Sequence, residues 1–88
     1  MVDNWIGLTV AQVLALCSTP YREVTMVDEP PGKLRALEFD CQRDGRVVRT
    51  VLELAYQPAL FSVDRAWDEA LVGRQRIVGV REPGGAGY

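Results

Sequence analysis

The dipeptide Asp44-Gly45 most constrains this chain, because it lies between two runs in which apolar and polar residues alternate. Asp-Gly is the strongest short-range hairpin signal, and it favours a two-residue turn. Such a turn fixes the pairing register, since the partners on the two strands count outward from it. The sequence therefore predicts antiparallel strands over Leu34–Gln42 and Arg46–Tyr56.

Counting outward from the turn sets Arg43 opposite Arg46 and divides the hairpin into two faces. The first face is mostly apolar and pairs Cys41 with Val48, Phe39 with Thr50, and Leu37 with Leu52. The second face pairs Asp40 with Arg49, Glu38 with Val51, and Ala36 with Glu53. Apolar pairs on one face and an opposite-charge pair on the other are typical of a half-buried hairpin.

A helix is predicted before the hairpin, because Thr9 and Gln12 have the spacing of a capping box and Pro20 ends the apolar periodicity that follows. The other expected elements are strands over Tyr21–Val27 and Arg74–Glu82, and a second helix capped by Ser62 and ended by Gly73. An alternative is that Ala59–Asp64 is extended and the second helix is short or missing.

These elements follow one another in the order helix, strand, strand, strand, helix, strand. That order predicts an α+β fold, with an antiparallel sheet of three to four strands and one or two helices packed on one face. A chain of 88 residues is short enough for a single domain. We expect one compact domain over residues 1–82 and a flexible C-terminal tail over residues 83–88.

Composition excludes several kinds of chemistry. The chain has no histidine, which removes Ser-His and Cys-His nucleophilic pairs and imidazole metal ligands. No carboxylate is placed beside a nucleophile, so we expect no enzyme, no catalytic residue and no cofactor. A net charge of −2 argues against nucleic-acid binding. The absence of a signal peptide and of a long apolar run predicts a cytoplasmic protein without membrane contact.

Cys17 and Cys41 lack the CxxC spacing of metal or redox motifs, and both fall on faces predicted to be buried. We expect free thiols that act as core residues and lie near each other if the first helix packs on the hairpin. The acidic residues Asp64, Asp68 and Glu69 are better interpreted as a solvated helix face than as cation ligands. No metal site is predicted.

The second face of the hairpin is less polar than a solvated sheet face. Its apolar members in the predicted register are Leu34, Ala36, Val47, Val51 and Ala55. Such a face is usually covered by another chain or by a further element of the same chain. The leading hypothesis is a non-enzymatic protein-interaction module that binds a protein partner or itself, as a homodimer, through this face or through an edge strand.

The alternative hypothesis is a domain that binds a small molecule between helix and sheet. Large aromatic side chains would line such a pocket, and the candidates are Trp5, Phe39, Tyr56 and Trp67.

Residues 7–54 resemble the small BamE/SmpA-type outer-membrane lipoprotein domain. The resemblance comes from Gly7-Leu8-Thr9, from Val13, from the break "STP" and from the hairpin "LEFDCQRDGRVVRTVLEL". The "GLT" helix start and the "EPPG" loop are similar, more faintly, to penicillin-binding-associated PASTA modules. Both resemblances imply a small α+β binding module without catalysis.

Overall fold

The computed structural model describes residues 5–28, 34–55 and 67–82. Its elements in chain order are helix α1 (Val10–Leu16), a 3-10 turn (Tyr21–Glu23), strands β1 (Thr25–Asp28), β2 (Leu34–Arg43) and β3 (Arg46–Leu54), helix α2 (Glu69–Gly73) and strand β4 (Ile77–Arg81). The strands form one antiparallel sheet in the order β1-β2-β3-β4. The predicted α+β class and the predicted order of elements are confirmed.

Helix α1 begins with the predicted capping box. The Gln12 N–H donates to Thr9 Oγ1 at 3.2 Å, and the Thr9 N–H donates to Gln12 Oε1 at 2.9 Å. Cys17 caps the end of the helix, and the next residue, Ser18, is left-handed, with a φ of 55°. After this turn the Thr19 N–H donates to the Leu14 carbonyl at 2.9 Å, so a carbonyl of the last turn is satisfied before Pro20.

The hairpin turn has the left-handed backbone conformation that Asp-Gly favours. Asp44 and Gly45 both have positive φ, at 52° and 76°, as a type I′ turn requires. Every strand pair counted outward from this turn is present in the sheet, from Arg43 opposite Arg46 to Ala36 opposite Glu53. The predicted register is therefore confirmed.

A β-bulge changes the position of Leu34. Val27 pairs with Ala36 but Asp28 pairs with Leu34, so the register shifts between Val27 and Asp28 and β2 carries one extra residue, Arg35. An extra residue of this kind breaks the strict alternation of side chains. Leu34 accordingly joins the hydrophobic core, fully buried, although alternation alone places it on the second face.

Two predicted boundaries are corrected. The segment Tyr21–Glu23 is a 3-10 turn and not the start of a strand, because the Val24 N–H donates to the Tyr21 carbonyl at 3.0 Å. Strand β4 begins at Ile77 and not at Arg74, since the preceding residues still close helix α2.

Helix α2 is shorter than the main prediction. It has five residues and begins after Asp68, whose Oδ1 accepts from the Leu71 N–H at 3.0 Å. Trp67 lies outside the helix. The predicted cap Ser62 and the predicted tail, residues 83–88, lie outside the described residues. The short-helix alternative is the one that matches α2.

The first face of the sheet packs against both helices. The members of this core are Trp5, Val10, Val13, Leu14, Cys17, Leu34, Leu37, Phe39, Cys41, Leu52, Leu54, Val72 and Ile77. No helix in the described ranges is both long and apolar enough to span a bilayer.

The two cysteines are joined, so the prediction of free thiols is wrong. Cys17 ends α1, Cys41 lies in β2, and their Cα atoms are 4.5 Å apart across a disulfide. The predicted burial and proximity are both confirmed. Two hydrogen bonds tie the same elements: the Gln42 N–H donates to the Cys17 carbonyl at 3.2 Å, and Thr19 Oγ1 donates to the Asp40 carbonyl at 2.9 Å.

Candidate binding groove

The first face of the sheet extends beyond the helix that covers it. Helix α1 has seven residues, about 10 Å of helix. Strand β2 has ten residues and is about 33 Å long. The end of the first face near the hairpin turn forms an open groove of about 780 Å³ beside Trp5, called here the Trp5 groove.

The floor and walls of the Trp5 groove are mostly apolar. They consist of Trp5, Val48, Val80 and the disulfide-bonded Cys41, together with Thr50. Val48 is 43% exposed although it belongs to the face that elsewhere forms the core. This is the place where the core face of the sheet reaches solvent.

The wall around Trp5 is held in place by backbone pairing. The Gly7 N–H donates to the Ile77 carbonyl at 3.0 Å, and the Ile77 N–H donates to the Leu8 carbonyl at 2.8 Å. Arg76 adds a bond from its guanidinium to the Gly7 carbonyl at 2.8 Å. The segment that carries Trp5 is thereby fixed against the start of β4.

Charged residues form the rim of the groove. They are Arg43, Asp44, Arg46, Arg81 and Glu82. The Arg43 guanidinium carbon lies 5.5 Å from the centroid of the Trp5 ring, a distance at which a cation is attracted to an aromatic face. Arg81 is paired with Glu53 at 3.1 Å, so its charge is already compensated.

Arg43 and Arg46 are directly opposite each other in the ladder. Arg43 is two residues from Cys41 on β2, and Arg46 is two residues from Val48 on β3. Both arginines therefore lie on the first face. Like charges that face each other across two strands are destabilising. This pair of like charges therefore does not itself stabilise the hairpin.

The second face is charged near its centre. Arg49 donates to Glu38 at 2.9 Å and to Asp40 at 3.2 Å, so the predicted pair of Asp40 with Arg49 is an ion pair. These hydrogen bonds, to Glu38 first and Asp40 second, raise the pKa of Arg49 above its usual value.

The residues predicted to form an interface on the second face differ in exposure. Leu34, Ala36 and Val51 are buried within the chain, at 0%, 4% and 2% exposed. Val47 is 62% exposed, and Ala55 is also exposed. The structure thus does not bring these five together as one accessible patch, and self-association through this face stays a prediction that rests on Val47 and Ala55.

The edges of the sheet are β1 and β4. Strand β1 has only four residues. The start of β4 is paired with the segment before α1, through the isolated bridge of Thr9 with Arg76 and the bond from the Val10 N–H to the Gln75 carbonyl at 2.9 Å. Strand β4 pairs with β3 only from Val51 to Leu54, so in the described ranges the rest of β3, residues 46–50, has no strand partner on that side and is the edge open to strand addition, the other predicted route to a partner.

Among the predicted pocket residues, only Trp5 lines the Trp5 groove. Phe39 is fully buried in the core, and Trp67 packs against that core partly buried. Tyr56 lies outside the described residues. Sequence reasoning missed Arg43, Arg46 and Val48 as groove residues, although the predicted register already placed both arginines on the face that should be apolar.

A second, smaller cavity of about 200 Å³ lies between the helices and the 3-10 turn, and Tyr21 and Glu69 are among its lining residues. The Tyr21 hydroxyl is buried and has no hydrogen-bond partner in the described part of the chain. Burial, with smaller contributions from the charges of Glu69 and Asp68, raises the pKa of Tyr21 to about 12.

Within residues 5–28, 34–55 and 67–82 there is no cluster of three or more side chains that could hold a metal ion. Comparison of the chain with protein-family models, curated proteins and solved structures finds no match. The resemblances to BamE/SmpA-type domains and PASTA modules therefore stay predictions.

Proposed function

We propose that this protein is a small non-enzymatic protein-interaction module whose contact surface is the Trp5 groove. The observation that carries the proposal is the exposure of Val48, an apolar residue on the core face of the sheet, beside the fixed wall at Trp5. An apolar centre with a charged rim is the usual anatomy of a protein interface.

The test is selection of peptides from a random display library, with two matched variants as bait. Val48→Glu puts a charge into the groove, whereas Val78→Glu changes a similarly exposed valine of β4 that does not line it. Selected peptides should bind the wild type and Val78→Glu and should lose binding to Val48→Glu. The proposal is wrong if no sequence is enriched, or if the selected peptides bind both variants equally.

Self-association is the simplest form of such an interaction, and the homodimer predicted from the sequence stays part of the proposal. Sedimentation equilibrium at micromolar concentrations tests it. A dimer that dissociates in Val48→Glu would use the Trp5 groove, whereas one that dissociates only in Val47→Glu would use the second face.

A small-molecule ligand is the second candidate, because a groove of about 780 Å³ lies within the range of known ligand pockets. A ligand at 100 times its dissociation constant should stabilise the fold by about 2.7 kcal/mol. A thermal-shift screen of small molecules against the wild type and Val48→Glu separates this function from peptide binding.

The predicted cytoplasmic location and the disulfide require different redox conditions. Cytosolic thiol buffers keep most cysteines of mesophilic proteins reduced, whereas disulfides persist in oxidising compartments. Alkylation of thiols in intact cells, followed by mass measurement, decides between them: a protein without alkylated cysteines would contradict the cytoplasmic location.

A further inference from the structure

We propose that the Trp5 groove binds an extended acidic peptide segment, in which a carboxylate side chain lies two positions from a large apolar side chain. The proposal rests on the proposed function, since it names the chemistry of the partner. It begins from the two arginines of the rim, which face each other across the hairpin at a cost to its stability.

Arg46 gains a partner if an anion lies between the two guanidinium groups. Within the described residues the Arg46 side chain makes no ion pair or hydrogen bond, and it is exposed at the mouth of the groove. Arg43 is already held over the Trp5 ring, so its side chain loses less conformational entropy when it binds a carboxylate. A guanidinium presents a planar fork of donors that matches a carboxylate.

The spacing on β3 sets the rest of the pattern. Arg46 and Val48 are two residues apart on one face of a strand, about 7 Å. An extended peptide beside this strand has alternate side chains at the same spacing. A carboxylate at Arg46 therefore places the side chain two positions away against the apolar floor at Val48 and Val80.

The charge of the groove favours a single carboxylate over a polyanion. Asp44 and Glu82 lie on the same rim and would repel a string of phosphates. Arg81 is already paired with Glu53. A nucleic acid needs clustered cations that are not balanced in this way.

The test compares two display libraries with randomised flanks. One fixes a Glu two positions before a Phe, and the other fixes a Gln at the same place. Binding is then measured for selected peptides and their Glu-to-Gln counterparts. The Glu form should bind the wild type about tenfold more tightly, as for the loss of one charge-assisted hydrogen bond. The difference should shrink at high salt.

Matched arginine variants assign the effect to the groove. Arg46→Met keeps the apolar stem and removes the charge, and it should abolish the preference for Glu. Arg22→Met changes an exposed arginine of the 3-10 turn that does not line the groove, and it should preserve the preference. Circular dichroism and the melting temperature confirm that both variants are folded.

Three outcomes overturn the inference. The Glu and Gln forms could bind equally, Arg46→Met could retain the preference, or an oligonucleotide could compete for the groove through Arg46. In each case binding that still depends on Val48 keeps the proposed function. The function itself is refuted when neither these libraries nor the random library yields Val48-dependent binding.

Discussion

Reduction of the Cys17–Cys41 disulfide is expected to lower the free energy of unfolding by about 3 kcal/mol. The bond links residues with a sequence separation of 24. Closing a loop of this length in the unfolded chain removes conformational entropy equivalent to about 3.4 kcal/mol at 25 °C. A domain of this size is typically stable by about 5–15 kcal/mol, so the loss is a large part of the total.

The reduced protein should nevertheless keep its fold. The bonds from the Gln42 N–H to the Cys17 carbonyl and from Thr19 Oγ1 to the Asp40 carbonyl still join α1 to β2. The disulfide acts mainly on the unfolded state, whose freedom it restricts. We therefore expect unchanged circular dichroism at low denaturant and a lower unfolding midpoint.

The measurement is urea unfolding followed by tryptophan fluorescence, with and without a phosphine reductant. Reduction should lower the midpoint and raise the slope, because the reduced unfolded chain is less compact. The double variant Cys17→Ala, Cys41→Ala is the control, and the reductant should not change its midpoint. Equal midpoints for the oxidised and reduced wild type would refute the reasoning, as would two reactive thiols in the denatured, unreduced protein.

The remaining predictions concern substitutions of single residues. At neutral pH, Tyr21→Phe should leave stability unchanged or raise it by up to about 1 kcal/mol, because the hydroxyl is buried without a partner in the described residues. Burial raises the pKa of Tyr21 to about 12 in the folded state, against about 10 for an unfolded tyrosine, so the free energy of unfolding does not change with this group below pH 10 and falls as the pH rises toward 12. The wild type should show this fall, and Tyr21→Phe should not. Gly45→Ala should cost about 1–2 kcal/mol in urea unfolding, because Gly45 has a φ of 76°, and a smaller loss would contradict the type I′ turn. Thr9→Ala and Asp68→Ala should each cost about 1 kcal/mol by removing a helix cap, and a neutral result would refute the cap in question.

The hairpin shows which part of the fold is predictable from the sequence. Its register depends on one turn, and the positive φ of that turn follows from the identity of its own two residues, Asp44 and Gly45. The capping box of α1 is local in the same sense. Where the decisive interaction lies within a few residues, the prediction and the structure agree.

The errors come from interactions between distant segments. The bulge that moves Leu34 into the core exists only because β1 pairs with β2, and alternation along β2 gives no sign of it. The bond between Cys17 and Cys41 depends on how α1 packs on the sheet, and the spacing of the two cysteines along the chain does not contain that geometry. The expected cytoplasmic location favoured free thiols instead. The helix capped by Asp68 and not by Ser62 shows that several residues can offer a cap where the fold uses one.

The Trp5 groove depends both on a local sequence signal, the turn, and on a contact between distant segments. The register counted from the turn already places Arg43 and Arg46 on the face that also carries Cys41, and two charges on a core face indicate that this end of the face is not part of the core. The sequence alone does not show which residue forms the wall of the groove beside the two arginines. Trp5 reaches the groove because Gly7 pairs with Ile77, a contact between the two ends of the described chain. The charges of the site are thus predictable from a local turn, whereas its aromatic wall depends on the completed fold.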